Sequence, residues 1–184
     1  MSSNTPAPGQ LGFLTVLQEA GSYVGGYLVT TAWGRPLEFR LSTAVQPNRI
    51  QQILYGGTLE DYLCGELIGR ALIEKSSTPT QVILTDTRPA LAVRNRVEMP
   101  VVLVAPASAP DEGEGAAPPG TLLVRPGREG RGPVYCSAAS PYDLPTLRDL
   151  LHALDGRLDL SEPFARIREA VNEARRMGVA ARAA

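Results

Sequence analysis

The 184-residue sequence predicts an α+β fold. The expected form is a mixed, mainly antiparallel sheet of about five to seven strands, with one long central helix and two C-terminal helices packed on it. Three observations predict it. The stretch from Ser22 to Lys75 reads as an apolar hairpin followed by an amphipathic helix. Short β-rich runs then recur at 81–86, 100–105, 121–125 and 133–138. Two stretches of helical spacing, opened by Asp143-Leu144-Pro145 and Ser161-Glu162-Pro163, close the chain.

Taken in order, residues 1–10 carry no charged or apolar leader signal and are expected to be disordered. In Leu11 to Glu19, Phe13, Thr15 and Leu17 alternate as a strand does, while Leu11, Leu14 and Leu17 also suit a short helix. The strand reading is preferred and gives a three-strand meander with the hairpin. Gly26 to Trp33 holds β-branched and aromatic residues that suit a pleated surface. Gly34-Arg35 signals a turn and Pro36 fixes the next strand's start. There Leu37, Phe39 and Leu41 should face inward, with Glu38, Arg40 and Ser42 in water.

Beyond Pro47, Ile50, Ile53 and Leu54 share one face of a short helix that Gly56-Gly57 interrupts. Thr58 is the expected N-cap of the long helix, with Asp61 favouring its positive end. Leu59, Leu63 and Leu67, flanked by Tyr62, Ile68, Ala71 and Leu72, form its apolar stripe. On that reading Leu67→Ala costs about 2–5 kcal/mol. Gly65 and Gly69 point to close approach of the helix backbone to the sheet. Gly25-Gly26 reads as a bulge.

Gln81–Asp86 is a buried strand, and 88–96 is a connection with one helical turn around Ala90-Leu91. Pro100–Ala105 is apolar throughout, which suits a central strand covered on both faces. Residues 106–120, with Asp111, Glu112 and Glu114 and no large apolar side chain, should be a mobile loop. Thr121–Arg125 and Pro133–Ala138 complete a second meander, with the acidic and basic loops at opposite ends of the sheet. Asp143 is the expected N-cap of a helix carrying Leu144, Leu147, Leu150, Leu151 and Leu154, ended by Gly156. The last helix buries Phe164, Ile167, Val171 and Ala174 and ends at Gly178. The domain is expected to span 11–178, with a frayed tail at 179–184.

The net charge of −1 argues against nucleic acid as a partner. All but one of the 18 basic residues are arginine, and they are scattered along the chain. Two distant cysteines make no disulfide framework, and no apolar run is long enough to span a bilayer. The expected compartment is the cytoplasm. One His and two distant Cys do not supply a zinc ligand set, and no phosphate-binding glycine loop is present, so neither metal nor cofactor is expected.

The candidate reacting groups are few. Cys136 lies at a strand end before a helix, with the only histidine, His152, sixteen residues on as a conceivable base. Asp86 ends a strand, where α/β sheets often carry catalytic carboxylates. Trp33 and Arg35, with Tyr27 near, suit an aromatic and basic binding face, and Trp33 equally suits a plug at one end of the core. Arg125, Arg128 and Arg131 suit phosphate. The element order resembles small sensor and adaptor folds of the longin, roadblock, profilin or GAF types, a resemblance of layout alone. The expectation is a non-catalytic protein-interaction or adaptor module, acting with a protein partner or by self-association in a homo-oligomer. The alternatives are a small enzyme using Cys136 or Asp86, and nucleic-acid binding through 125–131. No small-molecule ligand is indicated.

Overall fold

The structure is a computed structural model and describes residues 9–109, 117–128 and 130–178. It is an α+β fold built on one seven-stranded mixed sheet, in the order β3-β2-β1-β4-β5-β7-β6. The strands are β1 Leu11–Glu19, β2 Ser22–Thr30, β3 Pro36–Leu41, β4 Val82–Thr85, β5 Val101–Val104, β6 Thr121–Arg125 and β7 Val134–Ser137. The helices are α1 Arg49–Tyr55, α2 Arg70–Lys75, α3 Leu144–Leu154 and α4 Glu162–Arg176. A π-helical stretch, Asp61–Gly69, runs directly into α2, and a 3-10 stretch, Arg88–Asn95, links β4 to β5.

Leu11–Glu19 is a strand, and the meander with β2 and β3 forms as expected. β1 pairs with β2 from Leu11↔Thr30 to Glu19↔Ser22. Ala20 and Gly21 turn the chain with φ of 49° and 78°. Positive φ at both central residues matches the right-handed twist of the flanking strands. On its other side β1 pairs parallel to β4, from Leu11↔Val82 to Leu14↔Thr85. The second meander is corrected: β7 lies between β5 and β6, so β5 and β6 point the same way. Of the expected acidic loop, residues 110–116 lie outside the described residues. So do 1–8 of the leader and the tail at 179–184.

Strand alternation divides the core into two layers. Leu11, Phe13, Val82, Leu84, Val102 and Val104 face α3 and α4, meeting Leu147, Leu151, Phe164, Ile167 and Val171. Leu14, Ile83, Val101 and Leu103 face the π-helical stretch, α2 and the 3-10 stretch. Gly25-Gly26 is where both layers come closest to β2. A Cβ on Gly25 would lie 2.3 Å from Ile68 Cγ2, and one on Gly26 would lie 2.4 Å from Ile167 Cγ2. The pair admits helices on both faces; the irregularity of β2 falls at Val29/Thr30 instead.

The central helix departs from the expected pattern because its winding is wider. The N–H of Arg70 donates to Gly65 O, five residues back. Leu63, Ile68 and Leu72 are therefore buried, and Leu67 turns outward to 37 % exposure. The expected cost of Leu67→Ala falls with it. Gly65 does mark a close approach, but to the 3-10 stretch: its Cβ would meet Ala92 Cβ and Val93 N at 2.8 Å. Gly69 is the one that faces the sheet, against Leu14 Cδ2 at 2.9 Å. Gly65→Ala sets a helix-propensity gain of about 1 kcal/mol against overpacking of about 1–3 kcal/mol on a backbone neighbour. It is expected to lower the melting temperature, while Gly57→Ala, with nothing within 4 Å, leaves it unchanged or raises it. Parallel thermal melts of the two variants check this.

Three other expectations at the surface are corrected. α1 buries no residue, and Ile50, Ile53 and Leu54 are exposed. Its N-cap is Asn48, in a reciprocal capping box with Gln51, whereas the Thr58 hydroxyl donates to Tyr55 O and caps no helix. β3 is an edge strand, so Leu37 and Phe39 are exposed and Glu38 is the better covered.

Glu38 fastens this edge to the end of α2, accepting from Ser76 Oγ, Thr78 N and the Ser77 backbone and hydroxyl, and pairing with Arg40. Burial works to raise its carboxyl. The hydrogen bonds from Thr78, Arg40, Ser77 and Ser76 outweigh that and bring it from 4.5 down to about 2. A lowered folded-state value contributes stability above the unfolded value, and that stability is lost as pH falls toward the folded one. Parent stability is thus expected to drop between about pH 4.5 and 2, and Glu38→Gln should flatten that slope in melts taken across the window. Among the described residues no helix is long and apolar enough to cross a membrane.

Candidate nucleic-acid interface

Strand direction decides which groups meet. β1, β4, β5 and β6 all point the same way, so Asp86, Ala105 and Arg125, at or just past the ends of β4, β5 and β6, share one end of the sheet, and Thr15 in mid-β1 lies level with the end of β4. The hairpin between β6 and β7 is closed by Arg128 and Arg131, whose backbones exchange hydrogen bonds of 2.9 and 2.8 Å, with Gly130 at positive φ. Gly132 seats this hairpin against β5: a Cβ there would lie 1.8 Å from Ala105 O.

Asp155 follows the last residue of α3 and faces that hairpin. Its carboxylate accepts from Arg125 Nη1 at 2.9 Å, Arg128 Nη1 at 3.2 Å and Arg131 Nη1 at 3.5 Å. Three guanidiniums thus converge on one carboxylate. Arg125 is 11 % exposed, Arg131 36 % and Arg128 61 %. Burial chiefly holds Arg125 below the ordinary arginine range, and Arg131 and Arg128 add to this against the pull of Asp155. Among the described residues Asp155 is the one carboxylate paired with the three arginines, and Arg128 and Arg131 are open to water.

Two residues on, the Arg157 guanidinium lies over the Trp33 ring, 5.1 Å from its centroid. Trp33 is 68 % exposed and does not plug the core. Its turn is well fixed. Thr31 Oγ1 accepts from Trp33 N and Arg35 N, and Arg166 Nη1 donates to Gly34 O at 3.0 Å. Tyr27 is not on this face: it is 1 % exposed, its hydroxyl is paired with Thr80, and burial pushes its pKa up to about 12.

Asp86 is mostly buried where β4 meets β1 and α4. It accepts from Thr15 Oγ1 at 2.9 Å and Thr87 Oγ1 at 3.3 Å, and is paired with Arg168. Among the described residues no three His, Cys, Asp or Glu side chains come together in a metal-binding group. Cys136 is fully buried, and burial raises its thiol pKa, which opposes a thiolate nucleophile. His152 is exposed on α3, and no hydrogen bond joins the two among the described residues.

Sequence reading found the three arginines and Trp33 but not what gathers them. Asp155 and Arg157 flank Gly156, whose only visible signal was the end of a helix. Thr15 and Arg168, which hold Asp86, lie 71 and 82 positions from it and carried no signal of their own.

No family model matches the chain, and no curated protein matches its sequence. Its fold matches that of endonuclease V from Bacillus subtilis, with a TM-score of 0.52 at 13 % identity over 91 % of this chain and 82 % of that one. Endonuclease V from Streptomyces avermitilis matches at a TM-score of 0.49 and 13 % identity, over 92 % of this chain and 84 % of that one. The Ciona intestinalis endonuclease V, in complex with a 24mer DNA containing an inosine followed by a ribo-adenosine, matches at 0.46 and 11 %, over 90 % and 87 %. The fold that this chain shares with the Bacillus subtilis protein is thus that of a nuclease. The fold shared with the Bacillus nuclease corrects the expectation of a non-catalytic adaptor working through protein partners or self-association, and with it the expectation that set nucleic acid aside as a partner.

Proposed function

We propose that this chain binds nucleic acid at the sheet end that carries Arg125, Arg128 and Arg131. The observation that supports it most is the convergence of three guanidiniums on the single carboxylate of Asp155. Among the described residues three guanidiniums share one carboxylate, so a phosphate would add negative charge, and arginine forks match phosphate oxygens in two-point contact. The local patch matters more here than the net charge of −1, because screening confines each charge to about 8–10 Å in physiological salt. Both cysteines are free and buried, which supports a reducing compartment such as the cytoplasm.

The test is a fluorescence anisotropy titration of labelled DNA and RNA oligonucleotides across a salt series. Affinity is expected to fall with added salt. Arg128→Ala and Arg131→Ala should each weaken binding and reduce the log–log salt slope by about 1. No binding at low salt would overturn the proposal.

A second reading is that the bound strand is also cut. It is favoured by the fold shared with the Bacillus nuclease and by Asp86 lying at the same sheet end as the basic cluster. Cleavage of plain or inosine-containing oligonucleotides by the parent, and its loss in Asp86→Asn with binding retained, is the expected result on this reading. Intact strands after incubation with the parent would leave binding alone.

A further inference from the structure

Trp33 is the only tryptophan in the chain, and it stands 68 % exposed on a turn that the fold goes to some length to hold still. Thr31 accepts from two backbone N–H groups of that turn, and Gly34 closes it at a φ of 79°. Arg166 reaches from α4 to Gly34 O, and Leu158 lies beneath Gly34. Burial does not account for the ring, and a rigid, exposed aromatic costs little conformational entropy when it makes a contact.

The Arg157 guanidinium at 5.1 Å occupies one side of the ring, and the high exposure of the indole leaves the other side open. Arg35 is exposed on the same turn. On the far side of Gly156, Asp155 anchors Arg125, Arg128 and Arg131. One short turn, 155–157, therefore joins a fixed aromatic surface to a cluster of phosphate-matching cations. Among the described residues the carboxylates paired into this surface are Asp155 and, through Arg166, Glu162.

We propose that Trp33 is a stacking platform for an unpaired base, so that the nucleic acid taken here is single-stranded, with its backbone on Arg128 and Arg131. This rests on the nucleic-acid reading above and adds the strand class to it. Stacking on an aromatic side chain is available to any base, but only when the base is outside a duplex. Aromatic rings interleaved with a basic track are how single strands are held without sequence preference. The guanidinium already on the ring adds attraction for the base plane and for its phosphate.

Because Trp33 is the sole tryptophan, its emission reports this contact directly. Three probes are titrated with the full chain: a short oligothymidylate, the same-length strand with abasic sites in place of bases, and a blunt duplex. Anisotropy reads binding, and tryptophan emission reads stacking. The expected result is quenching by the base-bearing single strand only. Trp33→Ala should weaken that strand by about 5- to 150-fold, Trp33→Phe should keep most of the affinity, and the abasic strand should not respond to either variant. Trp33 is a surface residue, so both variants should retain the parent's urea midpoint, which is measured alongside. Binding with unchanged emission, or equal affinity for base-bearing and abasic strands, would overturn the stacking role and leave the nucleic-acid reading standing. Failure of every probe to bind would overturn both.

Discussion

An Asp143→Ala chain is expected to lose about 3–5 kcal/mol of stability. Asp143 stands at the N-cap of α3, as its position before Leu144-Pro145 suggests, but its side chain makes no capping hydrogen bond. It is 6 % exposed and faces Arg94. Arg94 Nε donates to Oδ2 at 2.7 Å and Nη2 to Oδ1 at 3.2 Å, a two-point pair. Arg94 also donates to Val97 O at 2.9 Å and lies over the Tyr142 ring at 5.4 Å. The hydrogen bonds to Asp143 raise the arginine's pKa against the opposing effect of burial. Removing the carboxylate leaves a guanidinium in a site 12 % exposed, with no countercharge. The penalty comes from that orphaned charge rather than from the pair itself. An Arg94→Met/Asp143→Leu double variant should therefore recover most of the loss. Urea titrations of the single and double variants check both statements. A single-variant loss under about 1 kcal/mol would show that water reaches the pair.

Leu63→Ala is expected to cost about 2–5 kcal/mol, and Leu67→Ala under about 1 kcal/mol. The order is opposite in emphasis to what a spacing of four implies, since that spacing gives Leu59, Leu63 and Leu67 equal standing. The π-helical winding separates them. Leu63 is fully buried against Leu14, Ile83 and Val93 in the same layer, while Leu67 is 37 % exposed. A cavity opened at Leu63 is walled by the sheet and the 3-10 stretch, neither of which can collapse into it. Denaturant midpoints with a common slope test the pair. Equal losses would mean that the stretch is wound as an ordinary α-helix in solution.

The elements were readable in the sequence to the extent that their causes are local. Val101–Val104 and Val82–Thr85 are strands because their residues suit a pleated interior, and α3 and α4 follow from leucine, phenylalanine and isoleucine spacing. The wide winding of 61–69 was not readable, because a spacing of four in apolar residues is shared by α-helices, and the close approaches of Gly65 to Ala92 and Gly69 to Leu14 are made with distant elements. The edge position of β3 was hidden for a related reason. Period-two alternation names two faces but not whether a helix covers either, and here Leu37 and Phe39 are left in water.

The site was legible only as isolated residues. Trp33, Arg128, Arg131 and Asp86 stood out by type and position. Their partners Arg157, Asp155, Thr15 and Arg168 come from other elements, and the order of strands that brings them together is a property of pairing, not of composition. The position of β7 between β5 and β6 is the clearest case. It carries the Arg128–Arg131 hairpin to the same end as Asp86, which a simple meander would not have indicated.

The parallel ladder between β1 and β4 has a consequence for synthesis on the ribosome. Leu11 finds Val82 only after some seventy further residues have been made. At about 5–20 residues per second the hairpin, complete once Thr30 is made, waits roughly 3–10 s with an apolar, hydrogen-bond-hungry flank uncovered. During that interval the nascent chain is a target for chaperones and for other nascent chains. Slowing translation between codons 30 and 80 is a condition under which yield of this protein should fall.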